Sequence, residues 1–341
     1  MTTLPLRLGL ACLLCLAAST ASAEPLALEV IQRRLDPERK ELTRVSALEF
    51  RGALEITSPH PAFGGLSGME IDADGSRMTA VSDKGNWITA RLRYDETGRL
   101  SGLEDGTVAP ILDPAGRTLD DKYTQDAESL AMLPDGSFLV AFERQHRLWR
   151  YAANLEPGRH NAVPWPSPPG LKSLPENLGL EAIAALADGR LLAITENAIE
   201  SAGGTSTGTA AGTSTGGSSF PAFLWDGKGW KEFSYRRKGE FRPSGLALLP
   251  DGDVLVLERS FSWLGGIAAR LVRVPAAAFK PGAVIEGEEL AALAPPLITD
   301  NWEGLAVRQA PNGETLVYLL SDDNFLLIQR NLLVMFALLE K

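Results

Sequence analysis

The chain has 341 residues, 45% of them apolar, with 33 Lys and Arg against 43 Asp and Glu, a net charge of −10 and two cysteines. A chain of this size supports one large globular domain that buries roughly three quarters of its unfolded surface. The acidic balance argues against a nucleic-acid partner or an anionic membrane surface, and suits either simple solubility or a protein that collects cations.

Residues 1–23 read as a secretory signal peptide. Arg7 gives a positive start, Leu8–Ala18 an apolar core, and Ala21-Ser22-Ala23 a small-residue cleavage site. Cleavage after Ala23 leaves no membrane span and sends the product to the periplasm or outside the cell. Cys12 and Cys15 lie inside the apolar run and leave with it, so disulfides, Cys-ligated metals and a Cys nucleophile are excluded. Without Arg7, 32 basic residues face 43 acidic ones, a charge of about −11. Residues 24–341 are expected to form one domain, a monomer.

Glu24–Arg44 is charged and mixed, a lead-in strand and turn. Ser46–Thr57 (SALEFRGALEIT) reads as a strand interrupted at Gly52. A cassette then begins and recurs: an apolar strand, a Pro-Asp-Gly-like turn, a second apolar strand and a closing polar residue. It appears at Leu66–Asp83, Gln125–Tyr151, Leu180–Asn197, Pro243–Arg259 and Trp302–Asp323. In Pro134-Asp135-Gly136, Pro presets φ and Gly takes the left-handed position, which makes the turn a hairpin signal. Aligning Gly68, Ser129, Ala182, Gly245 and Gly304 gives steps of 61, 53, 63 and 59 residues. These exceed the roughly 40–50 residues of a compact propeller blade and leave room for long loops.

Further β-like runs follow the cassettes, for example Arg147–Tyr151 and Ile267–Val274. Four antiparallel strands per repeat, radially arranged, make a β-propeller. The expected fold is therefore all-β, a single propeller of four-stranded antiparallel blades with five repeats visible and five or six blades in all. A sandwich or solenoid of hairpins is the alternative. Ser201–Ser219 is a Gly/Ser/Thr insertion between the second and third strands of the third repeat, expected to be a surface loop. His160–Gly170 and Pro295-Pro296 read as connections between blades. The apolar Leu332–Leu339 is expected to pair with Ser46–Thr57 and close the ring.

The first strand of each blade lines a propeller's channel, and its start meets the end of the second strand at one face. With a turn pivoting between its last two residues, Glu128 faces Glu143, Glu181 faces Glu196, and Glu303 faces Asp322. A glycine bulge in the turn would slide each pairing by one residue. Like charges across a strand pair are unfavourable, so three such pairs call for a cation. Oxygen-only ligands suit Ca²⁺, or less readily Mg²⁺ or Mn²⁺. The first cassette places Ser67 near Asp83 and Lys84, the fourth Ser244 near Arg259. These additions could grip an anion. Alternatively Arg144, Arg259 and Lys84 neutralise the acids and nothing binds.

Other catalytic signals are weak. Gly65-Leu66-Ser67-Gly68 misses the Gly-x-Ser-x-Gly elbow and its strand–turn–helix setting. His60, His146 and His160 lie in loops without metal-ligand spacing, which argues against a zinc site or a Ser-His-Asp triad. Most tryptophans read as blade packing, while Trp263 and Trp302 are candidates for lining the mouth.

Five segments, Gly64–Asp74 (GGLSGMEIDAD), Gln125–Ser129 (QDAES), Arg242–Leu246 (RPSGL), Glu258–Phe261 (ERSF) and Asn301–Gly304 (NWEG), stand in an order that resembles the bacterial phytase-like family, "esterase-like activity of phytase". The resemblance runs from about Phe50 to the C-terminus. It implies a propeller whose repeated Glu and Asp residues serve phosphoester or ester hydrolysis. The expectation is a secreted, metal-assisted hydrolase of small anionic esters. Glu128, Glu143, Glu181, Glu196, Glu303 and Asp322 would hold the cation. Arg144 and Arg259 would bind the developing anion, with Asp83 as a base. Two other readings stand beside it: a calcium-dependent lactonase of propeller type, and a non-enzymatic periplasmic propeller that binds a ligand or partner.

Overall fold

The computed structural model describes residues 23–153, 156–196, 199–200 and 218–339. Of the expected signal segment only Ala23 falls within them, and strand pairing begins at Glu24. Five sheets follow one another along the chain, each a blade, and all are antiparallel apart from a short parallel pairing of Val284–Ile285 on the outer edge of the third. Blade 1 comprises Leu66–Ile71, Arg77–Ser82, Asn86–Tyr94 and Leu100–Pro110. Blade 2 comprises Ala127–Met132, Phe138–Phe142, Arg147–Tyr151 and Val163–Trp165. Blade 3 comprises Leu180–Ala185, Leu191–Thr195, Ser218–Trp225 and Trp230–Arg236. Blade 4 comprises Arg242–Leu248, Val254–Ser262, Gly266–Val274 and Glu288–Leu293. Blade 5 comprises Asn301–Gln309, Thr315–Asp322 and Asn331–Leu338, completed by Leu48–Thr57 from the start of the chain.

The first strand of each blade packs against the first strand of the next, and Asn301–Gln309 packs back on Leu66–Ile71. The ring therefore closes with five blades. Its closure is the expected one: Leu48–Thr57 lies antiparallel to Asn331–Leu338, with a register slip beside Gly52. The lead-in segment does more than expected. Glu24–Leu26 adds to the outer edge of blade 1, while Glu29–Arg33 pairs with Leu48–Thr57 in blade 5. One short segment thus bridges the two blades at the seam of the ring.

The cassette turns share one geometry. Leu133 N–H donates to Ser137 O at 2.7 Å, Gly136 N–H donates to Leu133 O at 2.8 Å, and Gly136 sits at φ 79°. Asp135 accepts from the Ser137 backbone N–H and hydroxyl, which locks the loop. The turn is a three-residue loop with a left-handed glycine, so its register is one residue off a two-residue pivot.

Side chains between blades form the core. Leu54, Met69, Tyr318 and Met335 pack in one cluster between blades 5 and 1, and Trp302, Leu257 and Phe336 in another between blades 4 and 5. Middle strands such as Phe138–Phe142 are buried along their whole length, which explains their near-continuous apolar sequence. Each fully buried Leu, Val or Phe contributes about 1.5–3 kcal/mol. Two expected boundaries move. Ser218 and Ser219 belong to the third strand of blade 3, and residues 201–217 of the expected insertion lie outside the described residues. Val163–Trp165, inside the expected connection His160–Gly170, is the outer strand of blade 2. No helix among the described residues is long and apolar enough to cross a membrane.

Candidate metal centre at the propeller mouth

Near the start of each first strand the ladder skips one residue. In blades 2, 3, 4 and 5 the skipped residue is Glu128, Glu181, Ser244 and Glu303, and in blade 1 the slip falls across Ser67-Gly68. A β-bulge re-aims its extra side chain, and a slip of this kind recurs in all five blades around one channel. The expected face-to-face pairs are corrected accordingly. Glu143 N–H donates to Asp126 O at 2.8 Å, Glu196 N–H donates to Gly179 O at 3.1 Å, and Asp322 lies opposite Asn301. The three-residue turn slides each ladder by one residue and the bulge slides it by one more.

The acids nevertheless converge. Oxygens of Glu128, Glu181 and Glu303 lie within 4.8 Å of one another, and so do oxygens of Asp126, Glu128 and Glu143. Glu128 belongs to both groups. Any two oxygens on a Ca²⁺ shell of radius about 2.4 Å lie at most about 4.8 Å apart, so each trio fits one hard cation. Glu181 is 4% exposed. Among the described residues no hydrogen bond or ion pair engages Glu128 or Glu181. Burial raises the Glu181 carboxyl well above the ordinary range, and the charges of Glu196, Glu128 and Glu143 add to it. Glu128 is raised by burial, then by Glu303, Asp126 and Glu143. Glu143 is pushed up to about 7, chiefly by burial, although the Gly179 N–H donates to it. These carboxyls are buried or half-buried without an adequate counter-charge, and the donor set is oxygen alone.

The cations stand to the sides. Arg259 Nη1 lies 3.4 Å from Glu303 Oε1 and donates to Asn301 Oδ1 at 2.7 Å, and its Nη2 is 3.8 Å from Glu196 Oε1. Burial alone would lower the Arg259 pKa, but Glu303, Glu181, Glu196 and Glu128 together raise it. Arg144, in the left-handed region at φ 52°, reaches Asp126 at 2.6 Å. Lys122 bridges Asp83 and Asp126 at 2.8 Å each. Asp83 is raised by burial against that pairing. Lys84 stays out of the ring, donating to Pro61 O and capping the Phe325 face at 3.4 Å.

Two proposed ligands fall outside both trios. Glu196 is held by Arg242 at 3.4 Å and by Arg259, and Asp322 accepts the Asn324 N–H at 2.8 Å. Asp322 is nonetheless pushed up to about 8 by burial and the nearby Glu303 charge. Asp126, Lys122, Arg242 and Asn301 join the site unforeseen. Asp126 stands in the quoted QDAES stretch, two residues before Glu128, and that spacing was the available signal. His146 is buried with its Nε2 at Pro175 O, 3.0 Å away, against the backbone of Gly179. Trp302 is core, whereas Trp263 is 94% exposed on the loop beside the mouth.

Fold and site together define a five-bladed propeller with an acidic, buried centre at one end of its channel. The chain belongs to the phytase-like family, described as esterase-like activity of phytase, whose model matches residues 61–325. No curated protein matches the chain. Among solved structures, a gluconolactonase from Xanthomonas campestris is similar at 13% identity and TM-score 0.41, covering 94% of this chain and 99% of that one. The PQQ-bound aldose sugar dehydrogenase of Streptomyces coelicolor is similar at 13% identity and TM-score 0.41, covering 91% and 98%. The β-propeller domain of Cps50 (Swd1) is similar at 10% identity and TM-score 0.37, covering 92% and 99%.

Proposed function

We propose that the propeller mouth is the active site of a secreted, metal-assisted hydrolase of phosphate esters or related esters. The observation that carries this reading is Glu181, buried and unpaired, with its oxygen beside those of Glu128 and Glu303. Glu128, Glu181 and Glu303 would hold a divalent cation, Ca²⁺ before Mg²⁺ or Mn²⁺, with Asp126 and Glu143 offering a second position through the shared Glu128. A bound cation supplies polarisation of the ester oxygen and a water of lowered pKa. Arg242 and Arg259 would orient the substrate anion through charge-assisted hydrogen bonds. Arg144 holds Asp126, and Lys122 holds Asp83 in place as an acid–base group.

A second reading has one observation in its favour. Arg259 already lies between Glu196 and Glu303, as in a mouth built for binding alone. Assays of the purified protein on generic phosphate mono- and diesters and on lactones, with Ca²⁺ or with chelator, separate the readings. Chelation is expected to abolish hydrolysis. Glu181→Gln is expected to weaken the ion by at least about tenfold, since it removes a ligand rather than an outer-shell partner. Turnover unchanged by chelator would end the metal-assisted reading, and a preference for lactones over phosphate esters would move it to the lactonase class.

A further inference from the structure

A cleft of about 500 Å³ opens beside the metal centre. One wall carries Arg242 and Arg259 with Glu196 between them, two guanidinium groups to one carboxylate. The further acid on this rim, Glu240, is paired with Arg237 at 2.7 Å. Apolar side chains join them: Phe261 and Ile267 from the hairpin that joins Val254–Ser262 to Gly266–Val274, and Leu326 from the loop after Thr315–Asp322; among the polar lining residues beside them, Asn324 donates to Gln329 at 3.0 Å. Arg259 connects the cleft to the centre through Glu303.

Apolar side chains on open loops carry a solvation cost that a packed interior would remove. Here they are concentrated on the two loops flanking the cleft. Phe261 is edge-packed on Trp263 at 5.5 Å, and the same loops carry the exposed Leu264, Leu327 and Ile328.

We propose that the cleft takes an amphiphilic anion, with the head group at Arg242 and Arg259 and an alkyl or aryl tail between Phe261, Ile267 and Leu326. This names the substrate class of the hydrolase and rests on that reading for catalysis, but not for binding. Charge complementarity selects the occupant: the two guanidinium groups call for an anionic head, and covering Phe261, Ile267 and Leu326 favours an apolar remainder.

Calorimetric titration with octyl phosphate and methyl phosphate tests the proposal, each in Ca²⁺-containing buffer below the micelle threshold. Octyl phosphate is expected to bind at least about tenfold more tightly, the equivalent of about two buried methylenes. The double variant Phe261→Ser/Leu326→Ser should bring that ratio close to one, and Arg242→Gln should weaken both ligands. The two side chains are 60% and 53% exposed, and a thermal melt verifies that the variant is folded. Equal affinities overturn the proposal, as does a chain-length preference that survives the double variant. It is also overturned if the protein sediments with phosphatidylcholine vesicles and ignores monomeric octyl phosphate, which would make the loops a lipid-docking rim. Chelator-insensitive turnover would remove the hydrolase reading and leave this ratio intact. Conversely, metal-dependent turnover with no chain-length effect would remove only the amphiphile.

Discussion

Arg259 shows how finely charge is balanced at this mouth. It is the guanidinium within reach of both Glu196 and Glu303, and it donates to Asn301, which in turn donates to Glu303 at 2.7 Å. Arg259→Met is expected to destabilise the protein by about 1.5–3 kcal/mol, the scale of a lost hydrogen bond to a charged group. The same variant should respond more strongly to added Ca²⁺ than the wild type, because the ion becomes the main remaining counter-charge. Thermal melts with and without Ca²⁺ measure both effects, and an unchanged melting temperature would contradict the role assigned to Arg259. The acids themselves were readable from the chain because they recur at equivalent places in the cassette. Arg242 and Asn301 were not, since each gains its role from a neighbour on another strand.

At the scale of the strand, the bulge and the small residue after it act as a unit. Gly68, Ser129, Ala182, Gly245 and Gly304 follow the skipped positions, and all are small. A Cβ on Gly68 would stand 2.3 Å from the Leu130 backbone nitrogen, and one on Gly304 3.1 Å from Ser67 O. First strands of adjacent blades therefore touch backbone to backbone. Ser129 Oγ accepts the Ile183 N–H at 3.1 Å and the Ser244 hydroxyl donates to Trp302 O at 2.9 Å, both between blades. Gly68→Ala is expected to cost about 1–3 kcal/mol through overpacking, measured by denaturant unfolding. The repeat of small residues was visible as the alignment anchor of the cassettes. The bulge was not, because a skipped rung alters hydrogen bonding without altering the polar–apolar pattern.

For the molecule as a whole, the buried acids set a pH dependence with a definite sign. Glu143 is raised from 4.5 to about 7 and Asp322 from 3.8 to about 8 in the folded chain. Groups raised on folding give their full stability below their unfolded values, and that stability is lost as pH rises through the folded ones. In chelator, the melting temperature is expected to fall between pH 5 and pH 8, and saturating Ca²⁺ should reverse the trend by binding the deprotonated form. Calorimetry at the two pH values checks this, and a rise in chelator would refute it. The closed ring makes a second prediction. Ending the chain at Arg330 removes Leu332, Leu333, Val334, Met335 and Phe336, all fully buried, and strips Leu48–Thr57 of its partner. At about 1.5–3 kcal/mol each, these side chains account for as much as the whole stability of a typical domain, about 5–15 kcal/mol. The shortened chain should show no cooperative melt by circular dichroism.

Local signals, namely turn glycines, alternating runs and recurring acids, determined by themselves that this chain is an all-β ring of repeats closed through its two ends. They also determined that carboxylates gather at one rim. Those signals act over a few residues, and repetition amplifies them. Only the tertiary structure decided which acids share a cation-sized space, that Glu196 belongs to the arginines instead, and that a cleft lined by arginines and by Phe261, Ile267 and Leu326 adjoins them. Those outcomes depend on register slips of one residue and on loops meeting from blades far apart in the chain. Distances of a few ångströms between such segments are set by packing, and no stretch of sequence carries them alone.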